Sequence, residues 1–233
     1  MRSEWTQPKT VFAVHYLRLA LLFLLSAALS GAAFSQQAPS AAGAQPTQST
    51  LKNYLGNEAC AKCHAEIYKG YSATAMAQAS GPAMQGLLTG DFVHAPSRVH
   101  YRVYAEDGKA WMSFDRPGDN VIQGKKELLY FIGTGHRGRT YIFSQDGFVF
   151  EAPINWYGQQ RLWDMAPAYQ KDREIPMNLP AVSSCLAYHT SNSQAPLPGT
   201  ENRYEQPLFA HAGVTCERCH GEGAAHVESA DRL

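Results

Sequence analysis

The sequence predicts an α+β protein, with short helices at two Cys-x-x-Cys-His segments, an antiparallel β region inserted between them, and much irregular chain around both. Three observations predict it. Helix-forming residues follow the first of those segments, the hydrophobic period changes to alternation in the middle of the chain, and a Pro- and Met-rich stretch leads from there toward the second segment.

The chain has 233 residues, 45% hydrophobic and 17% charged, which is enough for a packed core in one large domain or two small ones. Twenty basic and twenty acidic residues balance. Nothing in this balance suggests nucleic acid or an anionic membrane surface as a bulk electrostatic partner, and neither is expected. At the N-terminus, Arg2, Lys9 and Arg18 precede or adjoin the apolar run "LALLFLLSAALS", and small Ala33 and Ser35 flank Phe34. This pattern reads as a secretory signal peptide over residues 1–35. The alternative, an uncleaved anchor, needs about 20 apolar residues, so no membrane span is expected after cleavage. Residues 36–50, "QAPSAAGAQPTQST" and its flank, carry no hydrophobic period and read as a disordered linker. The folded domain is expected over 51–233.

Within it, Ile67, Tyr71 and Ala75 recur at four-residue spacing, so a helix is expected from Ala65 to Ala79, stopped by Gly81-Pro82. "VHYRVYAEDGKAWMSF" alternates about a turn at "EDGK", and "RTYIFSQDGFVFEAPI" alternates about "QDG". These are two hairpins. "ELLYFI" adds a fifth strand, placing the β-rich insertion at about residues 91–155. The stretch "WDMAPAYQKDREIPMNLPAVSS" is expected to wrap over the faces of a cofactor as irregular structure. "GTGHRG", residues 133–138, fits Gly-x-Gly-x-x-Gly but precedes a strand rather than opening a helix. It is expected to be a turn whose glycines allow close backbone approach to a cofactor edge, not a dinucleotide site.

The chemistry lies in the cysteines. Cys60, Cys63 and His64 in "CAKCH", and Cys216, Cys219 and His220 in "CERCH", are two complete Cys-x-x-Cys-His segments, the attachment signature of c-type haem. Two thiols at this spacing add to the two vinyl groups on one porphyrin edge, and the adjacent His binds iron. Zinc, a redox dithiol and plain disulfides are the competing readings. Zinc needs no His after each second Cys, and a redox dithiol expects a βαβ context that neither pair has.

"HAGVTCERCHGEGAAHV" resembles the multihaem cytochromes c related to the tetrahaem electron carriers of nitrifying bacteria. The run from "YLGNEACAKCHAEIY" through "GHRGRTYIF", "APINWY" and "WDMAPAYQ" to "CERCHG" resembles exported cytochromes of soil bacteria that often carry further haem motifs, sometimes followed by tetratricopeptide repeats. The resemblance covers residues 54 to about 227. No such repeat is present here, and "HVESADRL" ends abruptly, as in a truncated form of a longer protein.

The resemblance implies a further complete motif where this chain has "CLAYH", with Tyr188 in place of the second Cys. Three readings stay open there: haem held by one thioether from Cys185 with His189 as ligand, an empty remnant, and coincidence. The resemblance also implies distal iron ligands, with His226 and His211 matching family positions. His136 is the next candidate; for His94, His100 and Met76 the bland readings of loop, strand-surface and packing residues lead.

The expectation is thus haem c at two sites, with a third at Cys185/His189 open, in an extracytoplasmic electron carrier. Its partners would be redox proteins, quinol-linked or other cytochromes. Two other classes remain as alternatives: a reductase or oxidase of a small nitrogen compound, with Arg137, Arg139 and Tyr141 beside His136 as proton donors or oxyanion stabilisers, and a haem-based sensor.

Overall fold

The computed structural model describes residues 53–167, 169–230 and 232. The expected signal peptide and linker lie outside the described residues.

Two helices open the described chain: α1 (Asn57–Ala61) and α2 (Ala65–Ser72). The strands follow: β1 (Ser80–Pro82), β2 (Gly90–His94), β3 (Val99–Glu106), β4 (Lys109–Arg116), β5 (Asp119–Ile132), β6 (Gly138–Gln145), β7 (Phe148–Tyr157) and β8 (Leu162–Met165). The C-terminal part adds α3 (Ser183–His189), β9 (Ser191–Ser193), β10 (Phe209–His211), α4 (Glu217–His220) and α5 (Ala224–Ala230).

The fold corrects the α+β expectation. Strands β2 to β8 form one antiparallel meander in sequence order, with β1 paired to β5, and helix is only 17% of the structure. The sheet curls into a nearly closed barrel. Register shifts at Asp115/Arg116, Leu128/Tyr130 and Thr140/Ile142 bend successive pairs. At the seam β2 meets β8 so closely that a Cβ on Gly90 would lie 2.7 Å from the Trp163 ring. The expected β region was too narrow at both ends. β1 is a three-residue strand around Pro82, and β8 begins in the Pro- and Met-rich stretch, so neither shows a long alternation.

Alternation explains the core. Tyr101, Met112, Tyr141, Phe143, Ile154 and Met165 are fully buried inside the barrel. Ile142 and Val149 face the other way, into a second cluster with Ala181, Leu186, Tyr204, Leu208 and Phe209. Burial on both faces of β6 is why "TYIF" reads as a continuous apolar run. The second cluster anchors α3 to the barrel's outer face through Leu186.

Three local expectations are also corrected. The helix after "CAKCH" ends at Ser72, not Ala79, because the Thr74 and Gln78 side chains take up backbone groups there: Thr74 Oγ1 accepts from Ala77 N, and Gln78 Nε2 donates to Ser72 O. The stretch 169–177 packs Tyr169, Ile175 and Met177 against the barrel core. "GTGHRG" is a turn, but its glycines serve backbone-to-backbone approach. Gly133, at φ 92°, sits where a Cβ would lie 2.4 Å from Gly138 O.

Candidate cofactor site

The two Cys-x-x-Cys-His segments lie at opposite ends of the described chain and meet in space. Cys216 N donates to Asn57 Oδ1 at 2.8 Å, and Tyr71 Oη donates to Val214 O at 2.6 Å. Asn53 Nδ2 donates to Glu222 Oε2 at 2.8 Å, and Val214 N to Met76 O at 2.9 Å. A cavity of ≈ 500 Å³ opens between them, lined by Cys60, His64, Ile67, Cys216, His220 and His226 among others. That volume is in the range of sites for organic cofactors.

All five cysteines are free thiols, Cys60 and Cys216 half-buried, Cys63, Cys185 and Cys219 exposed. Burial, then the neighbouring Cys216 and Glu217, push the Cys60 thiol up. Among the described residues, no three His, Cys, Asp or Glu side chains converge to hold a bare metal ion.

The imidazoles of His64 and His226 face each other with ring centroids 6.3 Å apart and planes 17° from parallel. Two imidazoles sharing a metal at about 2.0 Å per bond, with roughly 1.1 Å from each nitrogen to its ring centre, span a little over 6 Å. The thiol pairs, the separation of the two imidazoles and the cavity volume thus fit a porphyrin iron group, for which Cys60, Cys63 and His64 would supply one set of donors and Cys216, Cys219 and His220 another.

The other candidates stand apart. His211 is half-buried on β10; its ring crowds Gly56, where a Cβ would lie 2.9 Å from it, and it does not line the cavity. His136 is exposed in the β5–β6 turn and is also absent from the cavity lining. His94 is buried with both ring nitrogens bonded, to Ser97 Oγ and Gln170 O, and His100 pairs with Asp91 at 2.9 Å. Both are structural histidines. Met76 is exposed, and its carbonyl accepts from Val214 N. Arg139 is buried, donates to the carbonyls of Gly86, Gly133 and Thr134, and stacks on Phe131 at 4.0 Å. Tyr141 Oη accepts from Leu88 N. Arg139 and Tyr141 thus hold the neighbouring loops.

At "CLAYH", α3 carries Cys185 exposed and His189 half-buried, while Tyr188 is 79% exposed and packs edge-on against His189. Burial lowers the His189 pKa and raises that of Cys185, whose neighbour Glu151 adds to the rise. Arg218 of the "CERCH" segment donates to Ala187 O at 3.3 Å, so α3 lies against the second motif.

Sequence reasoning missed Glu217. It occupies a spacer position of "CERCH", yet it is only 3% exposed and accepts from Leu55 N, Gly56 N and Gly223 N. A charged spacer in a motif reads as a solvated residue. The one signal was Gly223, where a Cβ would lie 2.9 Å from Glu217 Oε1.

Donor set and cavity together have the chemistry that covalent attachment of haem c requires. Residues 159–221 match the family of cytochrome c554 and c-prime, a segment that includes "CLAYH" and "CERCH" but neither "CAKCH" nor most of the barrel. A solved structure, the crystal structure of outer cell wall cytochrome OcwA, resembles this chain with a TM-score of 0.49 and 17% identity, over 78% of this chain and 34% of that one. The chain thus spans about a third of that cytochrome's length. No curated protein sequence matches the chain.

Proposed function

We propose that this chain is an exported multihaem c-type cytochrome domain that passes single electrons between redox partners outside the cytoplasm. The observation that carries the reading is the facing pair His64 and His226 in a cavity shared by both Cys-x-x-Cys-His segments. Haem c, when bound, supplies a one-electron iron couple. Cys60 and Cys63 would tether one haem and Cys216 and Cys219 the other. His64 and His220 would be the proximal ligands, and His226 the distal partner of His64. Held by both His64 and His226, the iron of that haem would have no open position for a substrate, which favours electron transfer there over the reductase and sensor readings. Among the described residues no helix is long and apolar enough to cross a membrane. The expected signal peptide supports an extracytoplasmic place of action.

The test is the full chain produced with a c-haem maturation system. Its colour should survive acid–acetone extraction, because thioether-linked haem cannot be extracted, and its intact mass should show two haem increments. Colourless protein would refute the reading. Replacing His226 by Ala should open one iron, giving a high-spin signal and carbon monoxide binding.

A further inference from the structure

We propose that Glu217 positions His226 opposite His64, acting from within the neighbouring haem motif. This rests on the reading above that the two imidazoles share one haem iron.

The geometry is that of a three-way tie. Glu217 Oε1 accepts from Leu55 N at 2.9 Å and from Gly223 N at 2.9 Å, and Oε2 accepts from Gly56 N at 2.8 Å. Leu55 and Gly56 lead directly into α1, which carries Cys60 and is followed by His64; Gly56 is its N-cap, at φ 81°. Gly223 immediately precedes α5, which carries His226. One buried side chain therefore holds the roots of both segments whose histidines face each other. Its own helix, α4, carries Cys219 and His220 of the second motif and follows directly from Cys216.

Nothing else of comparable burial does this. No residue of α1, α2 or α5 is buried, so no fully buried apolar contact fixes α5 relative to α1. Among the described residues, the one backbone bond from α5 to the N-terminal segment, Ala224 N to Asn53 O, is long at 3.2 Å. A carboxylate accepts at both oxygens and suits three N–H donors. A glutamine in its place turns an NH₂ group toward at least one of them, leaving donor against donor.

The experiment uses the haem-loaded full chain with E217Q, E217D and H226A, each first weighed intact to count haems. H226A should give full carbon monoxide binding at one haem. E217Q should raise apparent carbon monoxide affinity by at least ~10-fold, equivalent to ~1.4 kcal/mol, with a partial high-spin signal. E217D, which keeps the charge on a shorter stem, should fall between E217Q and the parent. E217Q combined with H226A should bind no more carbon monoxide than H226A alone. The proposal fails if E217Q leaves the Cys60 haem low-spin and inert to carbon monoxide while H226A opens it, or if its effect adds to that of H226A. If both Glu217 variants lose only the haem at Cys216 and leave a low-spin, carbon monoxide-inert haem at Cys60, Glu217 serves its own motif and the proposal also fails. A different failure is recognisable: an H226A protein with parental spectra removes the shared-iron reading itself, and this proposal with it.

Discussion

The barrel and the cysteine-bearing module are held together by opposite means. Inside the barrel, Tyr101, Met112, Tyr141, Phe143 and Ile154 have at most a trace of exposed surface. In the module, α1, α2 and α5 bury no residue, and Ile67 of α2 is 70% exposed. Helices of five to eight residues are too short to hold themselves in water. What ties this module within the protein is polar: the Glu217 triad, Asn57 to Cys216, and Tyr71 to Val214. The barrel carries its own apolar core, whereas the module presents apolar and ligating groups around a cavity that a porphyrin would fill.

The contrast can be broken most severely by withholding haem. Chain produced without the maturation system should keep slow amide exchange at Tyr141, Ile142 and Phe143, while residues 57–72 and 224–230 should lose nearly all protection. Equal protection in both regions would show that the module needs no cofactor to fold.

A smaller effect sharpens the boundary at α3, which sits on the barrel but touches the second motif. The wild-type mass should show two haems, and Tyr188→Cys should add a third. A wild type already carrying three would mean that Cys185 alone holds a ring, and its pyridine haemochrome α band should then be red-shifted for one haem, since one vinyl stays conjugated. Next, Ile154→Ala inside the barrel should cost about 2–5 kcal/mol in denaturant unfolding and leave the haem count of the folded protein unchanged. The same substitution at exposed Ile67 should barely move barrel stability yet weaken haem loading; the reverse pattern would dissolve the distinction.

The smallest effect concerns Glu151, on β7 near Cys185, whose carboxyl is raised above its ordinary 4.5 by burial. A raised carboxyl favours folding when protonated, so its contribution is present below pH 4.5 and is lost as pH rises through the folded value. Glu151→Gln should therefore stabilise the protein at pH 7, with the gain vanishing below about pH 4. A gain that persisted in acid would show that burial of the charge is not its cause.

The chemistry was legible in the sequence because it is local. Cys60-x-x-Cys63-His64 and its partner need no fold to be recognised, and the hairpin turns at Asp107-Gly108 and Asp146-Gly147 stand where alternation and turn residues put them. The barrel was not legible as a barrel. Its closure depends on bulges, on a strand of three residues and on one around Trp163, none of which leaves a period. His226 was legible as a ligand candidate only through family likeness, and its place beside His64 only through the fold. Glu217 was hidden because its partners are backbone amides 161 and 162 positions away along the chain, which no side-chain pattern encodes.

That separation carries a consequence for how the molecule assembles. Joining Cys60 to Cys216 in an unstructured chain closes a loop of more than 150 residues, and each doubling of loop length costs about 0.6 kcal/mol in chain entropy. The sheet shortens the journey. Ser80, the first residue of β1, receives Gly213 N on its Oγ at 2.8 Å, and the same Oγ donates to His189 O. Once this junction has formed, only the short arms from Cys60 to Ser80 and from Gly213 to Cys216 remain to be ordered, a span roughly sevenfold shorter that saves about 1.7 kcal/mol of closure entropy. The barrel is thus a splint set between the two cysteine-bearing arms. It should fold ahead of them, and a kinetic trace should show its tyrosine and tryptophan signals settling before His226 reaches iron.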